Sequence, residues 1–170
     1  MAKVFTMINV NRNITGADLL TLEVAKLFMR VDGTTDDELI TSLITQAREL
    51  IETYLDRTIN ASTVTVIASA RQEMVLPFAP VSSITTVKDQ ATDEEIGYTW
   101  DGLTLTFDQG IYDTFEVVYD TIDNSLPDGL MLAWKEVVLW LYENRTDTAG
   151  IQNMLTYNAN LQVYRNKIWI

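Results

Sequence analysis

The chain has 170 residues, of which 24 are acidic and 12 basic, a formal net charge of −12, and neither cysteine nor histidine. This length suits one domain with a sizeable core, and the two missing residue types exclude disulfides, thiolate nucleophiles, imidazole bases and histidine-ligated zinc. The excess of acidic residues disfavours binding to the phosphate backbone of nucleic acid. A chain without cysteine suits an intracellular assembly, and no apolar run is long enough to predict a membrane span.

Residues 1–16 are predicted to form an arm that contains a short strand and ends in an asparagine-rich turn. Thr21 is expected to cap a first helix over about 21–31. The apolar spacing predicts an inward face made of Leu22, Ala25, Leu27 or Phe28, and Met29. The helix is expected to end at Asp32–Gly33, because glycine tolerates the left-handed conformation that closes helices.

The clearest element is an amphipathic helix over about 35–56. Thr35 followed by Glu38 predicts a capping box, and the acids that lie between them oppose the positive end of the helix dipole. Apolar residues at three- and four-residue steps predict one buried face, made of Leu39, Ile40, Leu43, Ile44, Ala47, Leu50, Ile51, Tyr54 and Leu55. With the first helix it is predicted to form an αα-hairpin.

Between 61 and 120 the hydrophobic period changes to two, which predicts strands. The expected strands are 63–68, 71–76, 81–88, 98–100, 103–107 and 115–119. The second of these is expected to pair with the first, and the Asp101–Gly102 step predicts a hairpin. Together they are predicted to form one small antiparallel sheet.

A third helix is predicted over about 129–145, capped by Ser125 or Asp128. It is apolar nearly all round, whereas a surface helix needs one apolar stripe. Two interpretations follow. The helix is either central in its own domain or shared with a neighbouring subunit.

The segment 147–170 has too little periodicity to predict a helix, yet it is rich in residues typical of interface hot spots. These are Tyr157, Leu161, Val163, Tyr164, Ile168, Trp169 and Ile170. Either this tail folds back on its own domain, or it docks on a partner, for instance as an added strand at a sheet edge.

The stretch from Asp89 to Asp128 contains eleven acids and no Lys or Arg. It is either a set of solvated loops and outward strand faces or a surface that does not hold DNA. The acidic run Asp93–Glu95 lacks the alternating ligands and the glycine of a calcium-binding loop. No catalytic residue, metal site or cofactor is predicted.

Several segments, taken in order, resemble the head–tail connector (adaptor, or head completion) family of long-tailed double-stranded DNA bacteriophages. They are T-L-E-V-A-K-L-F-M-R-V-D, the long helix D-D-E-L-I-T-S-L-I-T-Q-A-R-E-L-I-E-T-Y-L-D-R-T-I, L-P-F-A-P-V-S-S-I-T-T-V, F-E-V-V-Y-D, L-P-D-G-L and W-L-Y-E-N-R. The resemblance covers roughly Leu20 to Arg145.

With the residue patterns, the resemblance implies an α+β fold: a helical bundle, made of the αα-hairpin and a C-terminal helix, with an inserted small antiparallel β-sheet and extended terminal arms. The expected organisation is an arm at 1–16, a connector core at 17–146 and a docking tail at 147–170. It further implies a non-enzymatic virion protein of the phage neck, assembled in the host cytoplasm.

Copies of such a protein form a ring, generally twelvefold, that joins the portal of the DNA-filled head to a stopper or tail-completion protein. DNA passes through the ring without sequence-specific binding. The alternatives are another neck protein, such as a stopper or tail terminator, and a small acidic regulatory or binding protein.

Three sets of residues are assigned on this basis. The predicted subunit interface is Trp134, Val138, Trp140 and Leu141. The predicted portal-docking tail is Tyr157, Leu161, Val163, Tyr164, Arg165, Ile168 and Trp169. The acids predicted to face the channel are Asp93, Glu94 and Glu95.

Overall fold

The computed structural model describes residues 5–70, 72–108, 112–121, 126–145, 147 and 150–165. In chain order the elements are β1 (Phe5–Ile14), α1 (Leu22–Met29), α2 (Asp37–Leu55), β2 (Ser62–Ala70), β3 (Glu73–Val75), β4 (Val81–Asp89), β5 (Tyr98–Trp100), β6 (Thr104–Phe107), β7 (Tyr112–Thr121), α3 (Asp128–Glu143), α4 (Gly150–Tyr157) and α5 (Ala159–Arg165). The predicted α+β class is confirmed. Two compact units share these elements: a helical unit from the described parts of 17–59 and 124–168, and a sheet unit from those of 1–16 and 60–123.

α1 begins as predicted, because the Thr21 hydroxyl accepts a hydrogen bond from the backbone N–H of Val24 at 3.4 Å. It ends before the predicted Asp32–Gly33 step, at Arg30, which adopts the left-handed conformation with φ 57°. The inward orientation allowed for Leu27 is wrong, since this side chain is 81% exposed. Leu27 lies two residues beyond the buried Ala25, a rotation of about 200° around the helix.

α2 starts at Asp37, with Asp36 at the N-cap position and no side-chain capping bond. The predicted Thr35–Glu38 capping box is therefore wrong, because the helix begins too late for Thr35 to serve as its cap. The predicted apolar face is confirmed. Its fully buried members are Ile40, Leu43, Ile44, Ala47, Ile51 and Leu55.

The core of the helical unit lies mainly between α2 and α3. α3 begins at Asp128 without a side-chain cap, and Ser125 lies outside the described residues. One of the two interpretations placed this helix at the centre of its own domain, and the burial of one of its faces confirms that interpretation. That face consists of Leu130, Ala133, Trp134, Val137, Val138 and Leu141.

The segment 150–165 forms two short helices, so the expectation of no helix there is wrong. Local caps compensate for its weak apolar periodicity. Asp147 accepts from the N–H of Gly150 at 2.8 Å, and Asn158 accepts from the N–H of Leu161 at 3.1 Å. Leu161 is fully buried in the helical core, so these residues fold back on their own unit.

The sheet unit contains a four-stranded antiparallel sheet with the strand order β1-β2-β7-β4. The predicted N-terminal arm is, over its described residues, an edge strand that pairs with β2 from Phe5↔Ala70 to Ile14↔Ser62. Alternate residues of the central strands fill the core, among them Val64, Val66, Phe115, Val117 and Tyr119.

A second antiparallel sheet has the order β3-β6-β5, so the prediction of a single sheet is wrong. The predicted pairing of 71–76 with 63–68 is also wrong, because β1 and β7 occupy both edges of β2. β3 pairs with β6 instead. The hairpin predicted at Asp101–Gly102 is confirmed: the Asp101 carboxylate accepts from the N–H groups of Leu103 and Thr104 at 2.8 and 2.6 Å.

Candidate interfaces for subunits and partners

The predicted subunit interface on α3 divides into a buried and an accessible part. Trp134 and Val138 are completely buried in the helical core. The indole N–H of Trp134 donates to the backbone carbonyl of Ile44 at 3.0 Å. The interface prediction is wrong for these two side chains, because they hold α3 against α2 and present no surface to a neighbour.

Leu141 belongs to the same buried face of this helix as Trp134, and Trp140 lies beside that face. Leu141 is 9% exposed, whereas Trp140 is half-buried at the rim of a cleft of about 290 Å³ in the helical unit. The cleft is lined by Leu39, Leu43, Gln46, Leu50, Trp140, Leu141, Asn144, Arg145, Asp147 and Ile151. Trp140 therefore remains available as a contact residue, and its assignment to a subunit interface stays a prediction.

The predicted docking residues of the C-terminal helices likewise include both buried and exposed side chains. Leu161 is a core residue, so its assignment as a docking anchor is wrong. Tyr157 and Val163 are 81% and 52% exposed. Tyr164 is half-buried and packs against Gly129 at the start of α3. Ile168 and Trp169 lie outside the described residues.

Arg165 is exposed but has intramolecular partners. Its guanidinium carbon lies 4.9 Å from the centre of the Tyr54 ring, a cation–π arrangement, and its Nη1 is 3.3 Å from the Tyr54 hydroxyl. Gln162 also donates to that hydroxyl, at 2.8 Å. These contacts hold α5 on α2. The surface that remains for a partner is formed mainly by Tyr157 and Val163.

An apolar stripe on α1 was not anticipated as a surface. Val24, Leu27 and Phe28 are 41%, 81% and 36% exposed, and their spacing places them on one face of the helix. The sequence could have predicted this stripe, because α1 contains more apolar residues than one buried helix face requires.

The three acids assigned to the channel lie together in the loop that follows β4. Asp93, Glu94 and Glu95 are exposed, and Asp93 forms an ion pair with Lys88 at 3.1 Å. Glu94 and Glu95, with Asp89 and Asp108, line an open cleft of about 420 Å³. Among the described residues no group of three or more acidic side chains is arranged to hold a metal ion.

A buried ionic network in the helical unit escaped sequence reasoning. Arg48 and Glu52 are each 3% exposed, and their side chains meet at 3.2 Å. The Arg48 Nε also donates to Asp18 at 2.8 Å, and Glu52 accepts from the N–H of Ile59 at 2.6 Å. The network joins the segment before α1 to the turn after α2, so its role is structural.

Each of the two units has its own buried core, and the exposed features described above are apolar side chains and an acidic loop. Within the described part of the chain, no helix combines the length and the apolar character that crossing a membrane requires. The sequence model of the family described as "Head completion protein" matches residues 18–157. The chain belongs to the head completion protein family.

Solved structures share the fold. A chain in the neck of an empty gene transfer agent (GTA) particle, computed with C6 symmetry, superposes with a TM-score of 0.70 at 15% identity, covering 94% of this chain and 97% of that one. A chain in the neck of the native GTA particle, computed with C12 symmetry, gives 0.64 at 18% identity, with 94% and 97% covered. A chain of the native GTA virion gives 0.63 at 17%, with the same coverage. No curated protein matches the chain.

Proposed function

We propose that this chain is a structural protein of the neck of a tailed phage or phage-like particle. Copies of it form a ring, generally twelvefold, between the portal and a stopper or tail-completion protein, and DNA passes through the ring. The observation that carries the proposal is the family match over residues 18–157 together with the fold shared over 94% of the chain with proteins of GTA necks. The particle is assembled in the host cytoplasm.

The distribution of charge supports a channel role. Asp93, Glu94 and Glu95 are exposed in one loop, and no base lies between Asp89 and Asp128. A ring repeats this loop in every subunit, so its field repels phosphates and keeps them from binding to the wall. Salt screens the repulsion beyond about 8–10 Å, so the effect is confined to DNA close to the loop.

The portal-docking surface is assigned to the exposed residues of α4 and α5, with Tyr157 as its anchor. Tyrosine supplies a large contact area at a small cost in conformational entropy, and Tyr157 is 81% exposed. Removing the whole segment from Tyr157 onward is a poor test, because it takes Leu161 out of the helical core.

The test is the native mass of the purified chain with and without the portal protein of its particle, followed by electron microscopy of any assembled species. We expect a ring, formed alone or seated on the portal. A chain that stays monomeric and ignores the portal would contradict the proposal and favour a regulatory protein. A ring that binds only beneath another neck component would identify a stopper or tail terminator.

A second experiment addresses the channel. The triple variant Asp93→Asn, Glu94→Gln, Glu95→Gln keeps the shape of the loop and removes three negative charges per subunit. We expect rings of this variant to retain double-stranded DNA more strongly at low salt, with a difference that fades as salt is raised. The matched control is Glu23→Gln with Glu49→Gln and Glu143→Gln, which removes the same charge from exposed positions of the helical unit. Equal retention by both variants would contradict a channel-facing loop.

A further inference from the structure

The four-stranded sheet has two edges, and β1 forms one of them. Among the described residues, β1 pairs only with β2, through nine of its ten residues. The N–H and C=O groups of alternate residues along such a strand point away from its partner, so the outer edge of β1 offers a row of backbone donors and acceptors. Its apolar side chains are exposed as well: Met7 is 41%, Ile8 59% and Ile14 37% exposed.

The opposite edge of the sheet, β4, is only half covered. The N–H of Ile96 donates to the carbonyl of Val87 at 2.9 Å, and the N–H of Asp89 donates to the carbonyl of Glu94 at 3.0 Å. The loop after β4 thus closes the edge around 87–89. The first part of the strand, 81–86, has no partner on its outer side among the described segments. Six residues of strand correspond to an edge of about 20 Å.

Both open edges are almost free of charge in a chain with a net charge of −12. β1 carries one base, Arg12, and no acid, and the stretch 81–86 carries no charged residue. Copies of an acidic chain repel one another least where their acids are absent. The acids of the sheet unit lie instead in loops such as Asp93–Glu95 and along β7.

We infer that β1 of one subunit pairs with the open part of β4, residues 81–86, of the next subunit. This inference rests on the proposed ring and names the contact that builds it. The two edges differ from each other, so the contact is head-to-tail, which is the kind of interface that closes into rings. The sheet then continues from subunit to subunit by backbone hydrogen bonding.

Irregularities in both strands fit a sheet that bends around a closed ring. Register shifts occur in β1 between Met7 and Asn9, and in β4 between Val81 and Ser83 and between Ile84 and Thr86. Such bulges bend a strand and increase its local twist, and they are frequent at the rims of closed sheets. Ile8 and Thr85 are the extra residues at two of these bulges, and both side chains are exposed.

The test uses Ile8→Lys and Thr85→Lys, each of which places a lysine on one edge, as natural proteins do to block strand addition. Each variant alone is expected to stay monomeric under conditions where the unaltered chain forms rings. Mixed in equal amounts they are expected to form a one-to-one dimer, because each keeps the edge that the other has lost. Leu103→Lys is the matched control: it lies in the sheet unit outside both edges, is 46% exposed, and should leave the ring intact.

Amide hydrogen exchange gives an independent readout. Alternate amides of β1 and of 81–86 are expected to gain protection when the unaltered chain assembles. Rings of Ile8→Lys and Thr85→Lys, or assembly without new protection in these strands, would overturn the inference and leave the proposed neck function standing. A dimer of Thr85→Lys alone would also overturn it, by showing β1 paired with β1. An unaltered chain that never forms a ring, even with the portal, would contradict the proposed function itself.

Discussion

The Tyr142 hydroxyl donates a hydrogen bond to the Asp36 carboxylate at 2.5 Å, which joins the last turn of α3 to the N-cap position of α2. This bond to the carboxylate raises the pKa of Tyr142, because ionisation of the phenol would remove the donor and set two negative charges side by side. Burial adds to the increase, and the neighbouring Arg145 opposes it.

We expect Tyr142 to ionise at a higher pH than an ordinary tyrosine. Its raised pKa in the folded chain means that its contribution to stability is fully present below the pKa of the unfolded chain, about 10, and is lost as the pH rises through the folded value. An ultraviolet titration of the unaltered chain against Tyr142→Phe isolates the phenol. Asp36→Asn should bring its pKa down. No change in that variant would show that the bond is not formed in solution.

Arg48→Met is expected to lower the free energy of unfolding by roughly 3–5 kcal/mol, because it removes the guanidinium that pairs with the buried Glu52 carboxylate at 3.2 Å. Denaturation with urea, followed by helical circular dichroism, measures the loss. Glu49→Gln is the matched control: it lies next to Arg48 on the same helix and its side chain is 64% exposed. We expect the control to change stability by less than about 0.5 kcal/mol. Equal effects would mean that the Arg48 pair is no more important than a surface charge.

Trp140→Glu is expected to weaken ring assembly while the helical unit stays folded, because the half-buried indole lies at a cleft rim and its replacement adds a charge there. Trp134→Phe is the control. It removes the donor to Ile44 and should lower stability by about 1 kcal/mol while rings persist. Sedimentation separates assembly from stability. Normal rings of folded Trp140→Glu would eliminate this residue from the interface.

Tyr157→Ala and Val163→Asp are each expected to weaken binding to the portal, with no more than a small change in the unfolding midpoint, because both side chains are exposed. The control is Leu161→Ala. It should cost about 2–5 kcal/mol of stability through cavity formation in the core. Pull-down with the portal, combined with thermal unfolding, distinguishes the two effects. Undiminished capture of the Tyr157 and Val163 variants would remove the C-terminal helices from the docking surface.

Local sequence patterns were enough to predict those elements in which the apolar spacing or the turn residues are distinctive. The inward face of α2 follows from its apolar spacing, and the hairpin at Asp101–Gly102 follows from turn chemistry. Pairing between distant strands was beyond such reasoning. Nothing local shows that β1 takes one edge of β2 and β7 the other, since that choice depends on contacts between residues far apart in the chain, as in Ile14↔Ser62 and Thr63↔Asp120.

Two features of the helical unit were not predicted: the buried ionic network, and the different burial of the two tryptophans of α3. Arg48 lies four residues after Ile44 and three before Ile51, so it shares their inward face, and its burial could have been predicted. Trp134 and Trp140 are both tryptophans of one apolar helix. Only packing shows that the first fills the core, whereas the second reaches the rim of a cleft.

Both units are assembled from two separated stretches of sequence, and this affects the order in which the chain folds. The sheet unit is complete only when β7 has been synthesised, whereas its first strand, β1, is synthesised before α1 and α2. The helical unit must wait for α5, which supplies Leu161 to its core. α1 and α2 therefore lack α3, α4 and α5 as packing partners while β2 to β7 are being synthesised. A nascent chain halted after β7 should contain a folded sheet and an αα-hairpin open to proteases.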